Sequence, residues 1–171
     1  PRSAVMTIVA PRMATRVIEE RQDKYGRFCE VTLEGEDRNV LVFVNGHGHY
    51  DKGKEGRIMR KHLAIRVMEM HENVRKTHRN RRCETVEAWD MNDVREWAYA
   101  EGEVPEHYGQ HNAMWTRMDG MELSCPVGRS QVGDASKRTC TRHEKYFSAM
   151  LDGFWIGDEL IEHVTQYALR I

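Results

Sequence analysis

The chain has 171 residues, of which 40% are hydrophobic and 31% charged, and its formal net charge is −1. This excludes the strongly basic character of a general nucleic-acid binder, and no apolar run approaches the roughly 20 residues that a membrane-spanning helix needs. The first residues lack the apolar stretch of a signal peptide and the four cysteines form no CxxC pair, so we expect a cytoplasmic protein with reduced thiols that binds neither nucleic acid nor membrane.

The first quarter of the chain predicts a short strand, a helix and a hairpin. Residues 7–9 are β-prone, and apolar residues at helical spacing predict a helix over 11–26, with a proline near its start and a glycine at its end. Residues 28–33 alternate weakly and run into an acidic turn at 34–37, which is typical of a hairpin. Residues 39–44 give the strongest strand signal, an almost continuous apolar run that favours burial on both faces, as in a parallel sheet.

The middle of the chain predicts a long amphipathic helix followed by a second strand. Apolar residues mark one helix face over residues 59–74. The basic run 75–82 ends that helix, where cations complement the exposed carbonyl groups. Residues 84–89 form the next predicted strand.

The remaining elements alternate between helix and loop. A short helix containing Trp97 and a second helix over 107–118 precede a loop at 121–141, and an apolar stripe predicts a final helix over 146–167. Strands that alternate with helices predict a single α/β domain, residues 1–171, with a mostly parallel sheet. Ligands of such sheets bind beyond the carboxyl ends of the strands.

Two histidines follow the strongest strand at that end. His47 and His49 are separated by one residue, and Gly46 and Gly48 leave the backbone free to bend. Neutral imidazole is a good ligand for Zn, Mn or Fe, so both rings are candidate metal ligands. The alternative is that they are ordinary histidines of a surface loop.

Residues 41–48, Leu-Val-Phe-Val-Asn-Gly-His-Gly, resemble the strand-plus-loop VNGHG motif of the creatininase (creatinine amidohydrolase) family. Weaker similarities occur in the family's order and span nearly all of the chain. They are Tyr25-Gly26, Glu87-Ala88-Trp89-Asp90, Glu106-His107-Tyr108-Gly109, Gly133-Asp134-Ala135-Ser136-Lys137 and Glu144-Lys145-Tyr146-Phe147.

The resemblance implies a three-layer sandwich and a binuclear site of divalent metal (Zn, Mn or Fe) that hydrolyses a C–N bond of a small cyclic amide or formamide. It implies that His47 and His49 bind metal and that His107, with Glu106 beside it, transfers the proton. The chemistry agrees, because a metal lowers the pKa of bound water and a nearby histidine protonates the leaving nitrogen.

Four further residues are candidates for substrate binding. Asn45 and Tyr50 flank the histidines at the end of the strand, and Trp89 and Trp97 offer rigid apolar contact area with one donor each. For Trp97, a place in the core is an equal alternative.

The family's first three ligands, a Glu-x-His pair and a bridging Asp, have no counterpart in this sequence. We therefore expect a second polypeptide to carry them, produced by cleavage before Pro1 or encoded separately, within a higher oligomer. A non-catalytic scaffold subunit and a shortened chain are the alternatives. Two histidines alone fall short of the three protein ligands that catalytic zinc sites usually have.

A third hypothesis is a caspase-like cysteine hydrolase, because a His-Gly pair after a buried strand also occurs there. It requires a cysteine at the end of the next strand. Trp89-Asp90 stand at that end, and Cys83 stands at its start.

Overall fold

The computed structural model describes residues 5–49, 53–90, 100–102, 113–124, 142–143, 147–149, 152–157 and 160. In chain order, the strands are β1 (Val17–Gln22), β2 (Phe28–Glu34), β3 (Val40–His47), β4 (Cys83–Asp90), β5 (Ala100–Gly102), β6 (Leu123–Ser124), β7 (Arg142–His143), β8 (Phe147–Ala149) and β9 (Asp152–Gly157). The helices are α1 (Pro11–Ala14), α2 (Gly53–Thr77) and α3 (Ala113–Gly120). Glu36–Arg38 form a turn in which Asp37 and Arg38 have positive φ angles of 52° and 63°.

The main sheet has the strand order β1-β2-β3-β4-β9-β6, and a smaller sheet has the order β5-β8-β7. The α/β class is confirmed, but the prediction of a mostly parallel sheet is wrong. Within the main sheet only β3 and β4 run parallel, and the other described neighbours are antiparallel. Short turns join β1 to β2 and β2 to β3 and permit only an antiparallel return, whereas α2 provides the crossover that makes β3 and β4 parallel.

The hydrophobic core lies between one face of the main sheet and α2. Burial alternates strictly along β3, where Val40, Val42 and Val44 are buried and the residues between them are half-buried. The valines belong to the same core cluster as Leu63 and Val67 of α2. The continuous apolar run thus covers one fully buried face and one half-buried face, and not the two equally buried faces that we expected.

The predicted helix over 11–26 is wrong beyond its first turn. Only Pro11–Ala14 is helical, and Val17–Gln22 form β1, which pairs antiparallel with β2. Burial along β1 alternates between half-buried and exposed, which is the period of a strand. Hydrogen bonds to β2 therefore outweigh the helical spacing of the apolar residues.

The predicted C-terminal helix is also wrong in its described part. Residues 147–149 form β8 and residues 152–157 form β9, which pairs antiparallel with β4. Two glycines, Gly153 and Gly157, weaken any helix here, and the aromatic pair Phe154-Trp155 is typical of strands.

The central predictions are confirmed. The hairpin is β2–β3, the long helix is α2, and the second strand is β4. The predicted helix over 107–118 overlaps α3, although residues 107–112 lie outside the described residues, as does the predicted helix at Trp97. No helix within the described ranges is long and apolar enough to cross a membrane.

Candidate functional site

The carboxyl ends of β3 and β4 bring two polar side chains to one edge of the main sheet. Because the strands are parallel and in register, His47 is the partner of Asp90. Backbone hydrogen bonds fix both ends: the His47 amide donates to the Arg27 carbonyl at 2.8 Å, and the Gly48 amide donates to the Asp90 carbonyl at 2.6 Å. We call this place the β3–β4 edge.

The imidazole of His47 lies between a carboxylate and a guanidinium. Its Nε2 is 3.2 Å from Oδ2 of Asp90, and its Nδ1 is 3.0 Å from Nη1 of Arg27. An arginine only donates hydrogen bonds, so Nδ1 accepts and carries no proton. The proton of the neutral ring is therefore on Nε2, the nitrogen that lies beside the Asp90 carboxylate. About a third of each side chain in the His47–Asp90 pair is exposed, 34% and 36% respectively, so both reach solvent.

His49 lies just beyond the edge but is buried, with 4% of its surface exposed. Nη1 of Arg60, which is itself buried, donates to the His49 carbonyl oxygen at 2.9 Å. The two candidate ligands thus differ in access: His47 is open to solvent, whereas His49 belongs to the protein interior.

The predicted substrate-binding residue Asn45 lies two residues before His47 on β3. Its Nδ2 donates to the Met6 carbonyl oxygen at 3.0 Å, so the amide holds the N-terminal segment against the sheet.

Trp89 is placed in the core. The residue is 2% exposed, and its ring packs against Phe28 with a centroid distance of 6.4 Å. A Cβ atom at Gly46 would lie 2.1 Å from Cζ3 of the indole. The ring therefore presents its surface to the backbone of β3 and supports the β3–β4 edge from inside.

A buried carboxylate holds that indole. Glu87 is fully buried and accepts hydrogen bonds from Nε1 of Trp89 at 2.6 Å, from Nη1 and Nη2 of Arg117 at 2.8 and 2.5 Å, and from Nε2 of His71 at 2.6 Å. Burial alone would raise the pKa of Glu87, but the charge and hydrogen bonds of Arg117, with those of His71, outweigh burial and hold that pKa well below its ordinary value. The network joins α2, α3 and β4 beneath the edge.

A second buried carboxylate lies in the same row of the sheet. Glu30 of β2 and Glu87 of β4 are both register partners of Val44. Glu30 accepts a hydrogen bond from the Thr32 hydroxyl and lies 3.8 Å from Nη1 of Arg21. Burial raises the pKa of Glu30, because it outweighs the opposing effects of Thr32 and Arg21.

The β3–β4 edge has suitable donors for a divalent cation but few of them. An imidazole and a carboxylate are both common ligands of Zn and Mn. Across the ranges that the structure describes, no group of three or more His, Cys, Asp or Glu side chains is placed to hold a metal ion. Of the predicted site residues, Tyr50, Trp97, Glu106 and His107 lie outside the described residues.

The cysteine-hydrolase alternative finds no support among the described cysteines. Cys83 pairs in register with Val40, at the opposite end of the parallel pair from His47. Burial raises the pKa of the Cys83 thiol, which disfavours the reactive thiolate. The sulfur of Cys29 lies 2.9 Å from the Thr7 hydroxyl.

Sequence reasoning missed two arginines and undervalued one aspartate. No local signal marks Arg27, which follows a turn glycine, and nothing pointed to Arg117. Asp90 had a signal: two predicted strands of equal length are each followed by polar residues, so a parallel pair brings those residues to one edge of the sheet. His71 also had one, because it falls on the buried stripe of α2 and a buried imidazole needs a polar partner.

A scan against protein-family models gives no match for this chain. A search of curated proteins finds no similar sequence. The β3–β4 edge therefore has to be interpreted from its own geometry.

Proposed function

We propose that the protein is a metal-dependent hydrolase. The β3–β4 edge is the part of the reaction centre that this chain contributes. One observation carries the proposal: Nε2 of His47 lies 3.2 Å from Oδ2 of Asp90, so the carboxylate orients the ring and leaves Nδ1 as the nitrogen that can bind a metal. Metal-binding histidines are commonly held in this way by a carboxylate on their other nitrogen. Arg27, a cation, takes the Nδ1 position in this structure.

Imidazole and carboxylate groups are ligands that a divalent ion commonly has, but the β3–β4 edge provides too few of them to bind one. His47 supplies one ligand, Asp90 orients it, and at least two more protein ligands are needed. We propose that these come from residues outside the described ranges or from a second polypeptide. The buried ring of His49 makes it a weaker candidate than the sequence suggested. A bound metal would supply hydroxide near neutral pH.

The resemblance to creatininases supplies the first substrate class, a C–N bond in a small cyclic amide or formamide. The antiparallel pairs of the main sheet depart from the mostly parallel sheet that the sequence predicted, and they do not support a creatininase-like fold. The proposal of metal-dependent hydrolysis therefore rests on the geometry of the β3–β4 edge. The proposal that the substrate is a cyclic amide or formamide is narrower and rests on the resemblance alone. A scaffold role for the chain and a cytoplasmic location remain predictions.

The guanidinium of Arg27 favours a second candidate, the hydrolysis of a phosphate ester. Arginine matches the geometry of phosphate oxygens, and Nη1 of Arg27 lies 3.0 Å from the candidate histidine at the solvent-accessible edge. If the substrate is a phosphate ester, Arg27 binds its anionic group. If the substrate is an amide, Arg27 competes with the metal for Nδ1.

Mn²⁺ binding to the chain alone, measured by calorimetry, tests whether residues of this chain complete the metal site without a second polypeptide. We expect His47→Gln to abolish binding and Asp90→Asn to weaken it by about 10–100-fold, the usual cost of losing the group that orients a ligand. Arg27→Met should strengthen it, because a competing cation is removed. His62→Gln and Asp37→Asn, which alter exposed residues elsewhere, are the matched controls. Absence of Mn²⁺ binding in both the native chain and Arg27→Met would overturn a metal site formed by this chain alone.

Turnover of creatinine and of bis-p-nitrophenyl phosphate separates the two substrate classes. For a phosphate esterase, we expect Arg27→Met to raise KM for the phosphate diester while Mn²⁺ binding persists. For an amidohydrolase, the same variant should leave KM for creatinine unchanged.

A further inference from the structure

Helix α2 carries large apolar side chains on the side that faces away from the sheet. Its buried side includes Leu63 and Val67, which belong to the core. On the opposite side, Ile58, Ile65 and Met68 are 44%, 43% and 42% exposed. This surface is separate from the β3–β4 edge, and its role is independent of the proposed function.

The three apolar residues are part of a regular stripe. Together with three charged residues they recur at intervals of four, three, four, three and four, which is the spacing of a helix that packs along another helix. The stripe consists of Lys54, Ile58, Lys61, Ile65, Met68 and Glu72, and we call it the α2 seam. All six residues are exposed.

We propose that the α2 seam is a dimer interface that pairs antiparallel with the α2 seam of a second copy of this chain. Reversing one helix places Lys54 opposite Glu72 of the second copy and Ile58 opposite its Met68. The middle layer places Lys61 opposite Ile65. The layers repeat by symmetry, so each dimer contains two Lys–Glu pairs at its ends, two Ile–Met contacts inside them and two Lys–Ile contacts at its centre, as a two-fold interface requires.

Charge complementarity selects both the partner and its direction. A parallel pair would place Lys54 against Lys54 and Glu72 against Glu72, and like charges at facing positions are unfavourable. The antiparallel pair matches opposite charges at both ends.

The charged residues of the seam are compatible with burial of its centre. The four-carbon stem of Lys61 covers Ile65 of the second copy while its ammonium group stays in water. Within the chain, Glu72 forms an exposed ion pair with Lys76 at 3.5 Å. Exposed pairs of this kind are weak, so Glu72 remains available to Lys54 of the second copy.

Sedimentation velocity of the full chain over a range of concentrations tests the interface. We expect a monomer–dimer equilibrium whose Kd rises at least about tenfold in Ile65→Lys, a change that places a second lysine opposite Lys61 in both central layers. Met59→Lys is the matched control, because Met59 is 38% exposed on the same helix but outside the seam. A native chain that stays monomeric, or an Ile65→Lys variant that dimerises like Met59→Lys, overturns the proposal. Circular dichroism shows whether both variants fold.

A charge exchange tests the direction of pairing. Lys54→Glu and Glu72→Lys each place like charges at both ends of the dimer, so each variant alone should dimerise more weakly than the native chain. A mixture of the two restores opposite charges at both ends and should form the heterodimer, as should the double variant with itself. If the mixture dimerises no more strongly than each single variant alone, the proposed antiparallel pairing of the α2 seams is wrong.

Discussion

Gly46 lies against the face of Trp89 so closely that a Cβ atom at position 46 would be 2.1 Å from Cζ3 and 2.4 Å from Cε3 of the indole. The sequence suggested that this glycine gives a loop freedom to bend. In the structure it lies within β3, and the absence of a side chain lets the indole reach the strand. The glycine therefore sets the distance between the core and the β3–β4 edge.

Replacing Gly46 by Ala should destabilise the protein by about 1–3 kcal/mol, the usual cost of overpacking a core. Either the buried indole or the strand must move, so the hydrogen bond from Trp89 to Glu87 should weaken as well. Chemical denaturation measures the first effect, and the indole N–H resonance of Trp89 reports the second. Gly120→Ala is the control, because a Cβ atom there meets nothing within 4 Å. Equal stability of the two variants would contradict the close contact.

Glu87→Gln should cost about 3–5 kcal/mol, because it leaves the buried guanidinium of Arg117 without its counter-charge. The folded-state pKa of Glu87 is lowered, so its ionisation contributes stability that is present above 4.5 and is lost as the pH falls below 4.5 toward the folded-state pKa. Urea denaturation between pH 3 and pH 7 should show that the variant has lost part of this acid sensitivity. Glu69→Gln, which changes an exposed residue of α2, should keep the full acid sensitivity of the native chain.

Glu30→Gln should have the opposite pH dependence. Burial raises the folded-state pKa of Glu30, so this group contributes stability that is present below 4.5 and is lost as the pH rises through the raised value. The variant should therefore gain stability relative to the native chain between pH 4 and pH 7. Glu20→Gln, exposed on β1, should show no such gain. A constant difference across this range would mean that burial does not raise the pKa of Glu30.

The sequence predicted the elements whose residues carry a strong local pattern. The apolar stripe of α2 and the β-branched run of β3 are such patterns, and β4 was predictable from its position after the helix. Strands β1 and β9 could not be predicted in this way, because their sequences also have apolar residues at helical spacing. Pairing with β2 determines the conformation of β1, and pairing with β4 determines that of β9. Strand β4 is distant from β9 in the sequence, so no local pattern reports this pairing.

The candidate site was predictable only in part for a similar reason. The end of a strong strand pointed to His47, and a parallel pair implied a partner such as Asp90. The contact of Arg27 with His47 depends on the turn between β1 and β2, which brings residue 27 to the end of β3. No periodicity in the sequence encodes that approach.

The tautomer of His47 offers a direct test of the β3–β4 edge. Because Arg27 can only donate to Nδ1, the neutral ring should carry its proton on Nε2, and the two nitrogens are distinguishable in ¹⁵N spectra through their couplings to the ring protons. Asp90→Asn keeps the size of the side chain and still offers an oxygen to Nε2, so the tautomer should persist. Arg27→Met removes the donor and should let the Nδ1 tautomer appear. A native His47 with its proton on Nδ1 would mean that Arg27 does not contact the ring, and the proposed competition between this arginine and a metal ion would lose its basis.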